Sequence, residues 1–384
     1  MKKLIRITTV PVSLEKLLNG QWEFFKKYYN LIAVSADGQG LKKFEKAFQI
    51  RTFGIPLTRK VTLFSDIKAL WKLYFFLRKE QPLIVHTQTP KAGLIGMLAA
   101  FLARVPIRMH DVVGLPLMEK TGLKYCLLFC VEKLIYACAH RIYPNSFGLK
   151  KYMIDTKISS SKKMKVLANG SSNGVDVSHF SKKHFPTETN IALKERLNID
   201  TYDFVYLFIG RLVGDKGINE LISAFTLLSE KEEKIKLLLV GNYEENLDPL
   251  QKETLQNINN NPHIISVGYK EEVRPYLAIS SCFVFPSYRE GFPNAVLEAA
   301  SMELPCIVSD INGSNEIIID QVNGIIIPKK NTESLTNAMF NIKKDNNLRQ
   351  FFITNSRKGI AEKFEKKMLY ESLLVEYKEL EDDL

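Results

Sequence analysis

The segment from residue 282 to residue 310, CFVFPSYREGFPNAVLEAASMELPCIVSD, most constrains how this chain can fold. Two short apolar runs, 282–286 and 306–309, enclose a loop and a segment with helical spacing. This is the βαβ pattern of a buried parallel sheet, whose strands are apolar on both faces. The loop after the first run therefore opens at the carboxyl end of a strand, which is where doubly wound sheets bind ligands.

That loop combines carboxylates with residues that shape the backbone. Gly291 lets the backbone approach a ligand closely, and Pro293 suits a first helical turn whose amides lack internal partners. Glu298 lies eight positions after Glu290 and shares a helix face with Asn294. Two carboxylates and several amides converge, which favours a ligand rich in hydroxyl groups. For either glutamate taken alone, a solvated surface charge is the alternative interpretation.

Short apolar runs alternate with helix-like segments along the whole chain, which predicts an α/β protein. The strand candidates of the first half are residues 4–10, 31–35, 83–87, 107–110, 141–145 and 165–167. Those of the second half are residues 204–209, 236–240, 264–267, 282–286, 306–309 and 325–327. A chain of 384 residues suits two cores, and residues 173–176 precede a polar, lysine-rich stretch typical of a linker. We predict two Rossmann-like domains, 1–176 and 177–363.

Composition excludes several classes of protein. The chain is 46% hydrophobic and 25% charged, as in ordinary globular proteins. The five cysteines have no metal-ligand spacing and mostly lie in apolar runs, so we interpret them as small buried side chains in a reducing compartment. The longest apolar run, 93–103, is too short to cross a bilayer. The sequence predicts a cytosolic protein or one on a membrane surface.

Positive charge is concentrated in the first half. Residues 1–178 contain 29 Lys and Arg against 11 Asp and Glu, a net charge of +18, whereas the remainder has a net charge of −7. Nucleic acid, an anionic membrane and a phosphorylated acceptor all fit this asymmetry. Nucleic-acid binding is disfavoured, because the chain lacks a recognition motif of that class and the acidic second half stays unexplained.

One helical segment permits two interpretations. Ile67, Leu70, Trp71, Tyr74 and Phe75 occur at helical spacing with lysine and arginine between them. Core packing is the favoured role of this stripe. The alternative is that its rings, with those of residues 21–29, lie at the headgroup level of a membrane.

A glycine-rich turn follows the strand predicted at 204–209. Gly210 and Gly217 permit tight turns, and Arg211 and Lys216 flank the start of the next helix, whose amide dipoles attract anions. The turn is not a Walker A loop, which has the pattern G-x-x-x-x-G-K-[ST]. On these residues alone, a surface pair of cations is an equally good interpretation.

The string P-S-x-x-E-G-F-x-x-x-x-x-E-A, from Pro286 to Ala299, resembles the donor-sugar signature of retaining glycosyltransferases of family 4, which have the GT-B fold. The Gly-Arg…Lys-Gly turn resembles the diphosphate element of that family. The resemblance implies a donor-sugar site formed by Glu290, Gly291, Phe292, Pro293 and Asn294. It implies a diphosphate site formed by Gly210, Arg211 and Lys216, and we assign Glu298 and Tyr269 to the nucleotide.

The resemblance also bears on the first domain. His110 ends a strand where several family members place a histidine beside the reacting sugar, so the predicted catalytic set is Glu290, His110, Arg211 and Lys216. The predicted acceptor-side residues are Gly20, His86, Lys91 and Arg59. For Gly20 alone, turn chemistry is the alternative interpretation.

Family membership implies two Rossmann-like domains facing across a crevice, with residues 364–384 crossing back onto the first. It implies a retaining, metal-independent transferase that moves a hexose or N-acetylhexosamine from a nucleotide sugar, such as a UDP-sugar, with no other cofactor. Residues 86–176 most resemble the bacterial subgroup that builds capsule, lipopolysaccharide or lipid-linked glycans. The expected acceptor is therefore polyprenyl-diphosphate-linked, at the inner face of the cell membrane. A sugar-nucleotide epimerase with the same fold is the rival enzyme.

Overall fold

Two six-stranded parallel sheets organise the residues that the computed structural model describes, which are 1–58, 62–244 and 248–384. The chain divides into two compact units. The first consists of Met1–Asn173 and Lys366–Leu384, and the second is Gly174–Glu365. The predicted acceptor-side residue Arg59 lies outside the described residues.

The first unit contains a sheet with strand order β3-β2-β1-β4-β5-β6. Its strands are β1 (Lys3–Ile7), β2 (Asn30–Ala36), β3 (Arg51–Ile55), β4 (Ile84–Gln88), β5 (Ile107–Val112) and β6 (Arg141–Pro144). Its helices are α1 (Pro11–Lys16), α2 (Gln21–Phe25), α3 (Gln39–Phe48), α4 (Leu63–Glu80), α5 (Pro90–Leu102), α6 (Gly122–Cys138) and α7 (Phe147–Asp155).

The second unit repeats this topology, with strand order β12-β11-β10-β7-β8-β9. Its strands are β7 (Phe204–Ile209), β8 (Ile235–Val240), β9 (Ile264–Ser266), β10 (Cys282–Phe285), β11 (Cys306–Ser309) and β12 (Gly324–Ile327). Its helices are α8 (Thr187–Arg196), α9 (Ile218–Ser229), α10 (Lys252–Asn260), α11 (Arg274–Ala278), α12 (Asn294–Ser301), α13 (Ser314–Ile317), α14 (Thr332–Lys344) and α15 (Asn346–Phe364). The last helix, α16 (Lys366–Asp382), belongs to the first unit. Both strand orders are the doubly wound Rossmann order, so the predicted fold class is confirmed.

All six strands predicted for the second unit are present, but the first unit differs at two places. Residues 165–167 are not a strand; only Met164 forms an isolated bridge, to Ile142. Strand β3 was not predicted from the sequence. It lies at the edge of the sheet and includes Gly54. Only Ile55 of this strand is fully buried, so β3 lacks the continuous apolar run of a central parallel strand.

Two separate cores cover the two faces of the first sheet. Helices α4, α5 and α6 pack on one face. On the other face Trp22 and Phe25 of α2 pack with Leu373 and Tyr377 of α16. Placing the rings of residues 21–29 at a membrane was therefore wrong for Trp22, Phe25 and Tyr29, because all three are buried.

Two sequence interpretations of side-chain burial were also wrong. Cys126 and Cys130 are exposed on α6, whereas the other three cysteines are buried. Ile67, Trp71 and Phe75, assigned to core packing, are exposed on α4. In the described part of the chain, no helix combines the length and apolarity needed to cross a membrane.

A buried carboxyl on α6 gives a testable pH dependence. Burial raises the pKa of Glu132 from 4.5 to about 7. Between those pH values the folded state keeps a proton that the unfolded state has released, so stability falls as pH rises through this window. Glutamine does not titrate, so we expect Glu132→Gln to restore about 2–3 kcal/mol of the free energy of unfolding at pH 8 but little at pH 4.5.

Urea denaturation of the wild type and of Glu132→Gln at both pH values measures this difference. Glu195→Gln, at an exposed position on α8, is the matched control. Equal effects of Glu132→Gln at pH 4.5 and pH 8 would contradict the raised pKa.

Candidate donor site and the family of the protein

The candidate site in the second unit lies where the direction of the sheet reverses. Strands β7 and β10 are neighbours, but the chain continues from β7 to β8 on one side and from β10 to β11 on the other. The loops that follow β7 and β10 therefore leave the same edge of the sheet in opposite directions. Such a switch point forms a crevice at the carboxyl ends of the strands.

Glycines let the loops at this edge of the sheet approach each other. Gly217 has φ of 71°, and a Cβ there would lie 2.1 Å from the carbonyl oxygen of Pro286, at the end of β10. Gly241, directly after β8, has φ of 156°, and its Cβ would lie 1.7 Å from the carbonyl oxygen of Gly210, directly after β7. Both contacts are with backbone, so a side chain at either position would push the loops apart.

An ion pair joins the two loops. The ammonium of Lys216, from the loop after β7, contacts Oε1 of Glu290, from the loop after β10. Ser287 Oγ donates to the same oxygen at 3.0 Å. The Lys216 Nζ also lies 5.6 Å from the centroid of the Phe285 ring. Both charged side chains are largely buried, so the structure brings together two residues that the sequence placed at one site.

Two further cations at this edge are paired with carboxylates. Arg211 donates to Oε2 of Glu244 at 2.7 Å, and Arg289 donates to Oδ2 of Asp215 at 2.8 Å. Positive charge at the site is thus balanced by the protein's own carboxylates. A diphosphate would replace these carboxylates as the partner of the cations. Neither Glu244 nor Asp215 was predicted from the sequence as part of this site.

The Glu290 loop is anchored from the following loop. Asn312 Nδ2 donates to the carbonyl oxygen of Gly291 at 3.0 Å. A Cβ at Gly313 would lie 2.5 Å from that same oxygen, so this position also favours glycine. Pro293 is the N-cap of α12 and lies just outside its first turn. This anchor was not predicted from the sequence, although the Asn-Gly pair that follows the end of β11 after two intervening residues was the signal that could have indicated it.

The two residues assigned to the nucleotide lie on different sides of β7 and β10. Glu298 is half-buried on α12, which follows β10. Tyr269 follows β9, beyond β8, and its ring is exposed. The backbone N–H of Tyr269 donates to Oδ1 of Asn242 at 3.1 Å. Their roles stay predictions.

In the first unit, His86 lies inside a polar network and is fully buried. Its Nδ1 is 2.7 Å from the Tyr377 hydroxyl of α16, and its Nε2 is 2.7 Å from Oδ1 of Asp111. Arg6 donates to the same hydroxyl at 3.0 Å. Burial lowers the pKa of His86. This network gives His86 a structural role in holding α16 against the sheet.

His110 is buried on the opposite face of this sheet from His86. Its Nδ1 is 2.7 Å from Oγ1 of Thr87, and a Cβ at Gly93 would lie 2.4 Å from its ring. Burial lowers the pKa of His110 to about 4, so the imidazole is neutral at pH 7. A neutral imidazole can orient a ligand through one hydrogen bond but does not supply positive charge.

The other predicted acceptor-side residues also have local partners. Gly20 has φ of 81°, and a Cβ there would lie 2.8 Å from the Tyr370 hydroxyl of α16. Lys91 forms an ion pair of 2.7 Å with Asp66, which connects α5 to α4. These contacts explain both residue types without a ligand, and an acceptor role for either stays a prediction.

The topology of the two units is shared with solved structures. The crystal structure of HepE from Anabaena in complex with UDP superposes on 99% of this chain and over 100% of its own length. The TM-score is 0.81 and the sequence identity is 18%. Two Rossmann-like units of this topology define the GT-B class.

Sequence comparison then gives the family. Residues 190–359 match the model of group 1 glycosyl transferases, and residues 31–170 match that of a glycosyl transferase 4-like domain. The capsular polysaccharide biosynthesis glycosyltransferase CapM of Staphylococcus aureus is 33% identical over 97% of this chain and 96% of its own length. An Escherichia coli UDP-Gal:α-D-GlcNAc-diphosphoundecaprenol α-1,3-galactosyltransferase is 32% identical over 77% of this chain and 76% of its own. The chain belongs to the family 4 glycosyltransferases.

Proposed function

We propose that the protein is a retaining glycosyltransferase that transfers a hexose or N-acetylhexosamine from a UDP-sugar to a lipid-linked or glycan acceptor in surface polysaccharide synthesis. The observation that carries the proposal is the contact between Lys216 and Glu290 at the switch point of the second sheet. It joins a cation suited to a diphosphate with a carboxylate suited to sugar hydroxyls. The family membership supports the same assignment of roles.

In the proposed reaction an acceptor hydroxyl attacks the anomeric carbon of the donor sugar. The bond from that carbon to the diphosphate oxygen breaks. The acceptor attacks the same face of the sugar from which the leaving group departs. The departing diphosphate gains negative charge as this bond breaks, and it then accepts the proton of the hydroxyl. Lys216 and Arg211 stabilise that charge, while Glu290 orients the sugar. His110, as a neutral imidazole, contributes a hydrogen bond to the sugar.

We propose that two side-chain cations take the place of a metal ion. Among residues 1–58, 62–244 and 248–384, no group of three or more His, Cys, Asp and Glu side chains could hold one. In this scheme Lys216 and Arg211 stabilise the negative charge of the leaving group. Full activity in excess EDTA is the expected result.

The names of relatives support the choice of donor and acceptor. The E. coli relative is named for a UDP-linked sugar and a diphosphoundecaprenol acceptor, and the HepE structure contains UDP. An N-acetylgalactosaminyltransferase of Campylobacter jejuni, named for a diphospho-undecaprenol acceptor, is 27% identical over 69% of this chain and 69% of its own. An acceptor anchored in lipid places the reaction at a membrane surface, and we propose the inner face of the cell membrane.

A transfer assay tests this proposal. Purified protein is incubated with each of several radiolabelled UDP-, GDP- and ADP-sugars, an undecaprenyl-diphosphate-linked N-acetylhexosamine and EDTA. We expect label from one UDP-sugar in the lipid-extractable product, with the anomeric configuration retained by NMR. Conversion of the UDP-sugar to its epimer without any acceptor would instead identify an epimerase and contradict the proposal.

A further inference from the structure

Helix α4 has two apolar faces, and only one of them packs against the protein. The buried face consists of Ala69, Leu73, Phe76 and Leu77. The other face is exposed to solvent and consists of Phe64, Ile67, Trp71 and Phe75. Phe64 is 92% exposed and Trp71 is 50% exposed. The exposed positions recur every three to four residues, so they form one stripe along the helix.

Helix α6 has a second stripe of the same kind. Its buried face includes Ile135 and Tyr136. Its exposed face consists of Leu123, Cys126, Leu127, Cys130 and Leu134. Leu123, in the first turn, is 90% exposed.

Both stripes lie on one side of the first unit. Helices α4, α5 and α6 cover the same face of the sheet, and α5 packs against both of its neighbours. Because α4 follows β3 and α6 follows β5, both helices begin at the carboxyl edge of the parallel sheet. The most exposed residues, Phe64 and Leu123, lie at that edge. We call the two exposed stripes together the α4–α6 face.

The charges on the α4–α6 face have one sign. Asp66 of α4 is paired with Lys91, and Glu80 and Glu132 are buried. No acidic side chain on these two helices, which the structure describes in full, is exposed. The exposed charged residues are Lys68, Lys72, Arg78, Lys79, Lys124 and Lys133. Apolar stripes with basic residues between them are complementary to a bilayer with anionic headgroups.

We propose that the α4–α6 face docks onto an anionic lipid bilayer, with Phe64, Trp71 and Leu123 inserted at the headgroup level. This inference rests on the proposed function, which requires the enzyme to reach an acceptor anchored in a membrane. Docking brings the carboxyl edge of the first sheet close to the lipid surface. The sequence offered a membrane role for α4 as the alternative to core packing, and the structure adds α6.

The chain contains two tryptophans, and they provide an internal probe of docking. Trp71 lies on the α4–α6 face, whereas Trp22 is 2% exposed. We expect vesicles of phosphatidylglycerol and brominated phosphatidylcholine to quench Trp71 fluorescence at low salt. High salt should reverse the quenching, because exposed charges are screened beyond about 10 Å at 0.1 M. Trp71→Phe, which leaves only Trp22, should show no quenching.

Variants separate the apolar and electrostatic contributions. Phe64→Ser with Leu123→Ser, and Lys68→Glu with Lys72→Glu, should each weaken vesicle binding at least about tenfold. The matched controls lie in the second unit. Phe351→Ser with Leu227→Ser removes exposed apolar side chains, and Lys252→Glu with Lys358→Glu changes the charge equally. These controls should bind vesicles as the wild type does.

Three outcomes overturn the proposal: no quenching at low salt, equal binding to neutral vesicles, or a dimer in sedimentation velocity that Phe64→Ser dissociates while vesicles have no effect. The last would make the α4–α6 face an interface between two copies of this chain.

UDP affinity of the same variants, measured by calorimetry, separates docking from the proposed function. Docking variants that bind UDP normally but not vesicles support docking. Normal docking by a wild type that binds no UDP-sugar would contradict the proposed function alone.

Discussion

Replacing Glu290 by glutamine is expected to reduce sugar transfer at least about a hundredfold, a barrier increase of about 2.7 kcal/mol or more. The carboxylate accepts from Ser287 and pairs with Lys216, and the proposed sugar contact uses the same negative charge. Glutamine keeps the size of the side chain but loses that charge. UDP affinity should not weaken, because the Glu290 carboxylate competes with the diphosphate for the Lys216 ammonium and glutamine carries no such charge.

Initial rates of transfer and calorimetry with UDP measure the two effects separately. Glu271→Gln, an equivalent change at an exposed loop position, is the control and should leave both values unchanged. A melting temperature within a few degrees of the wild type would show that Glu290→Gln is folded. Transfer within about threefold of the wild type, which is less than 1 kcal/mol, would rule out the role assigned to Glu290.

Replacing Lys216 by alanine should have the opposite profile and weaken UDP binding itself. A charge-assisted contact to a diphosphate contributes about 1.5–3 kcal/mol, so we expect affinity to fall roughly 10- to 150-fold. Arg211→Ala should have a smaller effect, since the Arg211 side chain is more exposed than that of Lys216. Calorimetry with UDP and with uridine distinguishes a diphosphate contact from a nucleoside contact.

Uridine affinity should be the same in the wild type and in Lys216→Ala, because uridine carries no phosphate. Lys252→Ala on α10 is the control for loss of one exposed positive charge. If both Lys216→Ala and Arg211→Ala bind UDP as tightly as the wild type, the diphosphate site lies elsewhere.

The second unit was the more predictable part of the fold. Its central strands β7, β10 and β11 are buried on both faces, so each is an apolar run that the sequence reveals directly. The loops after β7 and β10 were predictable for the same reason, because a glycine-rich turn and a glutamate each followed such a run. The contact between Lys216 and Glu290 was not, since it depends on strands β7 and β10 being neighbours, although 72 residues separate the end of one from the start of the other.

Side-chain burial was the less predictable part of the first unit. The stripe of Trp71 and Phe75 has the helical spacing of a core face, but α4 already buries another apolar face beneath it. Spacing alone does not distinguish the two faces of a helix that is apolar on both. His86 likewise follows the rule for ligand-binding strand ends, yet α16, more than 250 residues later in the sequence, covers it.

A crystal structure of the protein with a UDP-sugar would show directly which residues hold the donor. We expect the diphosphate within hydrogen-bond distance of Lys216 Nζ, at the carboxyl edge of β7 and β10, and a sugar hydroxyl in contact with the Glu290 carboxylate. A nucleotide bound away from this edge, or a Lys216–Glu290 pair that remains intact beside a bound diphosphate, would contradict this expectation.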